Sequence, residues 1–444
     1  MKKIKLMAFF TLVLCLLIVP VACAEDSQET LCDYVNATDY YFDVNATSDG
    51  DGLKDTPYNN FTDDRVKDNS TIHLANGEYV FEKSRTFNNI SFNGQDPQRT
   101  ILNANGTTLT INGTVNFLNV TLTNFHIVNS GHLNAQNTVF TGLLPSHPEK
   151  DSVNYYGGAI YAEYNKNIYL ENCSFIDNAA PYGGAIYVRG GSLTVLNSRF
   201  HNNTAYNFAG AILGESGVRI IINNTEFILN KADEGSGGAI YLVSSSLTAN
   251  NITVTDSKAD FGAGIVSLRS TLNLNDSIFK NNDARYDGGA LYGYYGSLNL
   301  NSSRFIRNTA RNGAGLFIND VNIVNITFNE FIKCAASNYA GAIYSFSGKI
   351  NETLNVFENN TAKQFNTTYT ATNVDLTIGD GNYTLYAINQ TINTILPEKY
   401  DLRTLGLVTP VKDQQKGGNC WAFAAMSALE SCILKASCEV VDLS

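Results

Sequence analysis

The chain has 444 residues, of which 44% are hydrophobic and only 16% charged, with a formal net charge of −11. That acidic balance disfavours nucleic acid and anionic lipid as partners. Many Asn, Gly, Ser and Thr beside few charges suit a long, solvated β-structure better than a disordered tail. In chain order, Met1 to Ala24 reads as a secretory signal: Lys2, Lys3 and Lys5, an apolar stretch from Leu6 to Val19, and Ala22-Cys23-Ala24 as cleavage site. The apolar stretch is short for a membrane anchor. No second run of spanning length follows, so a secreted or cell-surface protein is expected, not integral to the membrane beyond its signal. Asp49-Gly-Asp-Gly-Leu-Lys-Asp55 spaces carboxylates as Ca²⁺ ligands can be spaced, but lacks the rest of an EF-type loop. It reads as a polar turn before the first coil, and no metal or cofactor is expected.

Asn-x-Ser/Thr triplets recur, among them at Asn69, Asn105, Asn119, Asn223 and Asn275. Each is a glycosylation acceptor in an exported protein, or simply a turn residue of a β-structure. Six cysteines follow the signal, at 32, 173, 334, 420, 432 and 438, too sparse for a disulfide scaffold. Cys173 and Cys334 are expected to be free and packed.

Residues 157–362 repeat with a period of 25 to 27 residues. One slot holds Phe175, Phe200, Phe227, Val254, Phe279, Phe305, Phe331 and Phe357. Three residues on, Asn fills all slots but those of Ser257 and Cys334; five residues on, Ala fills every slot from Ala180 to Ala362. A small-residue cluster runs in phase, as in Gly183-Gly-Ala-Ile186 and Gly237-Gly-Ala-Ile240, with Gly262-Ala-Gly-Ile265 a variant. Segments such as Leu193-Thr-Val195 and Leu298-Asn-Leu300 alternate as short strands with apolar side chains inward. The expected fold is mainly β, a right-handed parallel β-helix over residues 25–363. Phe stacks on Phe at about 4.8 Å per coil. Cys173 and Cys334, about six coils and roughly 29 Å apart at that spacing, cannot pair. These repeats resemble those of polymorphic outer-membrane and adhesin-like surface proteins, and Thr71 to Tyr79, Asn89 to Gly94 and Thr100 to Gly106 look like opening coils. Such repeats specify architecture far better than ligand.

Residues 364–395 are polar and β-rich, a final strand pair or linker. Residues 396–444 then carry Leu396-Pro397, Asp401-Leu402-Arg403, Pro410-Val-Lys-Asp-Gln414 and Cys420-Trp-Ala-Phe423. This segment resembles the mature N-terminus of papain-like cysteine peptidases, whose domain is α+β. The resemblance implies that Cys420 is the nucleophile and Gln414 the oxyanion-hole donor, acting on a peptide or protein substrate. The residue chemistry agrees. Trp421 to Lys435 is a strong helix-forming run without Gly or Pro. A helix N-terminus lowers a thiol pKa, and a side-chain amide can steady a developing oxyanion. The family's general-base His and orienting Asn lie roughly 130–150 residues beyond the Cys. Only 24 residues follow Cys420 here, and the five histidines all lie upstream, at 73, 126, 132, 147 and 201. Gly417 stands where many members place a disulfide Cys, and no helical propeptide precedes the segment.

Three readings follow. The first is a surface β-helix, adhesin-like, carrying a papain-like thiol peptidase domain of which the first part is present. The second is a purely structural or adhesive protein with a vestigial peptidase start. The third is a β-helix polysaccharide enzyme, which needs clustered carboxylates. On consecutive coils one column reads Asp233, Asp260, Arg285, Arg311, more simply a charge ladder. Tyr155, Tyr156, Tyr294 and Tyr295 are surface tyrosines that could meet a carbohydrate or other cell-surface ligand.

Overall fold

The structure, a computed structural model, describes residues 38–141, 156–164, 166–346, 350–378, 381–389 and 428–431. The signal segment, Cys32 and Tyr155 lie outside them. By contact the chain divides into two units, residues 1–390 and 391–444.

The first unit is a parallel β-solenoid. Its strands fall into sheets of 24, 12 and 7 members. Among the described strands every pair is parallel except one hairpin, Thr368–Ile378 with Gly381–Asn389. Alternation produces the strands. In Ser192–Leu196, Leu193 and Val195 are fully buried while Ser192, Thr194 and Leu196 are partly exposed. The same strand pairs in register with Asn167–Glu171 below and Arg219–Asn223 above. A short strand cannot bury one face alone; stacking coil on coil makes one continuous core.

Corners between strands need a left-handed residue, and Asn tolerates that conformation. Asn172, Asn197, Asn224 and Asn251 hold φ values of 52°, 50°, 51° and 52° on successive coils. Their amides form a ladder on the outside: Asn224 donates to Asn197 at 3.0 Å, and Asn251 to Asn224 at 2.9 Å. Many Asn-x-Ser/Thr triplets arise this way. Asn69, Asn105 and Asn119 are all left-handed corner residues.

The repeat columns lie inside. Phe175 stacks on Phe200 at 4.7 Å between ring centres, and Phe200 on Phe227 at 4.8 Å. Val254 and Phe279 continue the column in register, and Phe279 is fully buried. The column also extends upstream: Phe140 stacks on Phe175 at 4.5 Å, and Leu122, Leu102 and Tyr79 precede it. The Ala column forms the seven-stranded sheet, where Ala180 pairs with Ala205 and Ala310 with Ala336.

The Asn column is a buried hydrogen-bond ladder. Asn178 Nδ2 donates to Asn203 Oδ1, and Asn203 Nδ2 to Asn230 Oδ1, both at 3.0 Å. Each Nδ2 also donates to a phenylalanine carbonyl behind it, Asn203 to Phe175 and Asn230 to Phe200, at 3.0 Å. Fully satisfied polar networks rigidify a core; a half-satisfied one weakens it.

In the second unit residues 428–431 are helical, with Glu430 buried. They belong to the helix-forming run read after Cys420.

Candidate functional site

Cys420 and Gln414 both lie outside the described residues. Their chemistry therefore rests on sequence. Cys173 and Cys334 are free and buried, as their separation along the solenoid requires.

The other predicted features are placed. Asp49 is held by Arg65, whose Nη2 lies 2.6 Å from Oδ2; that guanidinium, first, and the Asn59 backbone keep the Asp49 carboxyl below its ordinary range. Asp51 accepts a hydrogen bond from Thr56. Both carboxylates are thus partnered by the chain itself, Asp49 by Arg65 of the short 3-10 helix Asp63–Arg65 and Asp51 by nearby Thr56. In the charge column, Lys231 pairs with Asp233, Arg285 lies 3.9 Å from Asp260, and Arg311 lies 3.4 Å from Asp287. Lys231–Asp233 is a pair within one coil, while Arg285–Asp260 and Arg311–Asp287 join neighbouring coils. The arginines and Lys231 are exposed and Asp287 is buried; exposed pairs are individually weak. Tyr294 and Tyr295 meet edge to face at 4.4 Å.

Tyr156 is not a lone surface tyrosine. It belongs to a second apolar cluster, separate from the core. The cluster is built by the small-residue turn. Gly183 has φ +63°, and a Cβ there would lie 2.3 Å from the Ile186 carbonyl oxygen. The turn brings the residue before it and the residue four places after its start onto adjoining walls of an outside corner. On the first wall stand Tyr156, Tyr182, Phe208, Ser236 and Phe261 in register. On the second stand Tyr161, Tyr187, Leu213, Tyr241, Val266, Tyr292, Phe317 and Tyr344. Rings meet across the corner: Tyr156 and Tyr187 at 4.9 Å, Phe208 and Tyr241 at 4.7 Å. Farther along, Tyr292, Phe317 and Tyr344 stack nearly parallel at 5.1 and 4.9 Å.

Polar groups edge this corner. Tyr187 donates its hydroxyl to Glu215 at 2.7 Å, and Arg189 lies 3.1 Å from the same carboxylate. Burial, then the Glu215 hydrogen bond, pushes the Tyr187 phenol up. Burial pushes Tyr241 up to about 12. Asp287 is raised by burial, partly offset by Asn312 and Arg311.

The rings do not run unbroken. At Ser236 and Val266 small side chains take ring positions, and a slot of about 230 Å³ opens there. Ser236, Tyr241, Phe261, Val266, Leu268, Tyr292 and Tyr294 line it. The sequence shows the small-residue turn but not which residues flank it in space, because that neighbourhood depends on the left-handed backbone.

Two family models match. Residues 396–444 match the papain family cysteine protease, and residues 172–189 the Chlamydia polymorphic membrane protein repeat. The second match runs from the corner residue Asn172 through Phe175, Asn178 and the turn at Gly183 to the end of the strand Ile186–Arg189. Among curated proteins, cysteine proteinase 15A of Pisum sativum is 51% identical over 51 residues, 12% of this chain and 14% of that one. Cathepsin L2 of Homo sapiens is 47% identical over 49 residues, 11% of this chain and 15% of that one. Caricain of Carica papaya is 38% identical over 89 residues, 20% of this chain and 25% of that one. The chain thus spans no more than a quarter of the length of these three relatives. No solved structure matches. The chain joins a β-solenoid, one stretch of which matches the polymorphic membrane protein repeat, to a segment that matches the papain family.

Proposed function

We propose that this is an exported surface protein whose β-solenoid is an adhesin-like stalk and whose C-terminal segment belongs to a thiol peptidase. The observation that carries the peptidase reading is the papain-family match over residues 396–444, within which Gln414 stands six residues before Cys420. In this reading the Cys420 thiolate attacks a peptide carbonyl of a protein substrate. The Gln414 amide and the Cys420 backbone N–H steady the oxyanion, and collapse of the tetrahedral intermediate releases the amine and leaves an acyl-thioester, which water hydrolyses. A base is needed to accept the thiol proton, and no histidine follows Cys420 in these 444 residues. This polypeptide on its own is accordingly expected to show no peptidase turnover.

One labelling experiment tests the peptidase reading. Cys420 should react with iodoacetamide faster than Cys173 or Cys334, because a helix N-terminus favours its thiolate. Equal rates would remove the carried-over role. Peptide cleavage by the 444-residue polypeptide that vanishes in Cys420→Ala would instead overturn the expected inactivity. The stalk reading is tested by adhesion of cells to the immobilised solenoid, compared with a heat-denatured control; equal adhesion would count against it.

A further inference from the structure

The solenoid keeps its charges off one face. On the 12-stranded sheet Arg199 pairs with Glu226, and Arg304 with Glu330, across neighbouring coils. The seven-stranded sheet exposes Lys231, Lys258 and Asp283. One stretch of the 24-stranded sheet differs. Residues 246–250, 271–275 and 297–301 pair in register on three consecutive coils, without a bulge and without a charged residue. In a chain of net charge −11 this is a neutral plateau. Its inward residues Leu247, Ala249, Leu272, Leu274, Leu298 and Leu300 are buried, so the alternate residues face out.

The outward side chains are small and polar, and they hold one another in place. Asn299 donates to Asn273 at 2.8 Å and accepts from Asn325 at 2.7 Å. In the next column Asn275 donates to Asn250, and Asn250 to Asn223, both at 2.8 Å. Ser297 donates to Thr271 at 3.3 Å. A side-chain amide has two N–H donors and an oxygen with two lone pairs. Each ladder uses one donor and one lone pair along the solenoid axis. Asn299 and Asn250 therefore each keep a spare N–H and a spare lone pair, on partly exposed side chains. Such groups recur about every 4.8 Å along the axis, and the two columns lie about 6.6 Å apart along the strand.

The plateau selects by chemistry. A charged polymer meets no opposite charge on it. A protein partner meets no aromatic or aliphatic anchor of the kind on which tight interfaces depend. A surface of repeated donors and acceptors matches a chain of uncharged groups that both donate and accept, which is the chemistry of hydroxyls. Each contact is weak, but one polymer makes many of them at once. The ladders already fix the amides, so little side-chain freedom is lost on binding.

We propose that the neutral amide plateau around Asn273 and Asn299 binds an extended, uncharged polysaccharide. The polymer lies along the solenoid axis, and its hydroxyls exchange hydrogen bonds with the spare amide groups. The proposal deepens the reading of the solenoid as an adhesin-like stalk and rests on it. Its test uses purified protein and purified polymer. A stalk that holds cells through another ligand would fail this test and pass the adhesion assay, so the two failures are distinct.

The test is affinity electrophoresis of the 444-residue protein in native gels containing hydroxyethylcellulose or galactomannan, both neutral, with polygalacturonate as the charged counterpart. At least one neutral polymer should retard the protein, and polygalacturonate should not. Mobility is read relative to a gel without polymer, which cancels changes of net charge. Asn273→Asp combined with Asn299→Asp keeps side-chain size, removes two amide donors and puts charge on the plateau. It should keep the circular dichroism of the parent and weaken binding by about tenfold or more. Thr248→Arg, one coil away in register with Asn273, should do the same and decides the matter if the double variant misfolds. Thr255→Asp, on the 12-stranded sheet, should change nothing. No retardation by either neutral polymer overturns the proposal. So does equal retardation by polygalacturonate, or full retardation surviving in the folded plateau variants.

Discussion

Cys334 takes the place of an asparagine in the buried ladder, and Asn308 meets it with Nδ2 3.9 Å from Sγ. The thiol does what it can of the amide's work. Sγ donates to the Phe305 carbonyl at 3.3 Å, as Asn308 Nδ2 does to Phe279 at 2.9 Å. It offers no second strong donor toward Asn360, whose Oδ1 receives only the Cys334 backbone N–H at 2.9 Å. Cys334→Asn should therefore complete the ladder. We expect a gain of about 0.5–1.5 kcal/mol, the net value of one added hydrogen bond. Urea denaturation checks it; a lower midpoint at unchanged slope would contradict the ladder's role.

The inner and outer asparagines should differ sharply in cost. Asn282 Oδ1 accepts from the Ser257 N–H at 3.1 Å, and its Nδ2 donates to Val254 at 2.9 Å and Asn308 at 3.0 Å. Asn282→Ala strands two buried backbone groups and should cost about 2–4 kcal/mol. Asn299 bonds only other asparagine side chains on the solvated face, Asn273 at 2.8 Å and Asn325 at 2.7 Å. Asn299→Thr should fall within about 0.5 kcal/mol of the parent. Denaturation midpoints of both variants decide; similar losses would mean the inner ladder is no more than surface chemistry.

The solenoid is legible where one position per coil repeats one residue type. Phe, Asn and Ala each pack against their own kind, so the sequence carries the stack openly from Phe175 to Phe357. Upstream it fades. Tyr79, Leu102, Leu122 and Phe140 share the column, at intervals of 23, 20 and 18 residues. Those coils are shorter because the seven-stranded third sheet begins only at Ala179. Residue type also changes within the column, so no fixed period marks it. The aromatic corner was legible only in part. The small-residue turn shows, but Tyr182 and Tyr187 join one outer cluster across the left-handed Gly183, which the sequence does not reveal. The residues named for catalysis, Cys420 and Gln414, stand on the papain-family match.

The two buried thiols should be inert in the folded protein. Burial pushes Cys173 up to about 12 and Cys334 up to about 11. At pH 8 the thiolate fraction is then about one in ten thousand and one in a thousand. Both side chains are also enclosed by the core. Alkylation followed by peptide mapping should find Cys173 and Cys334 unmodified until denaturant is added. Native-state labelling of either at the rate of a free thiol would show that its coil opens.

His126 gives the solenoid a pH dependence of known sign. It is 7% exposed, and its Nε2 lies 3.1 Å from the Tyr156 carbonyl. Desolvation lowers its pKa, and the bond to Tyr156 offsets only part of that. The folded state therefore binds this proton less readily than the unfolded state, whose histidine titrates near ~6.5. Above that pH the group is neutral in both states and has no effect. Below it the unfolded state gains protons first, so stability falls as pH drops from ~6.5 toward the lowered folded value. The loss reaches about 1.4 kcal/mol for each tenfold by which folding weakens the proton's binding. His126→Gln keeps a side-chain donor near the carbonyl and cannot titrate. Subtracting its midpoints from those of the parent cancels every other ionisable group. The parent should lose stability relative to His126→Gln between pH 7 and 5, and parallel curves across that window would mean that His126 reaches water when protonated.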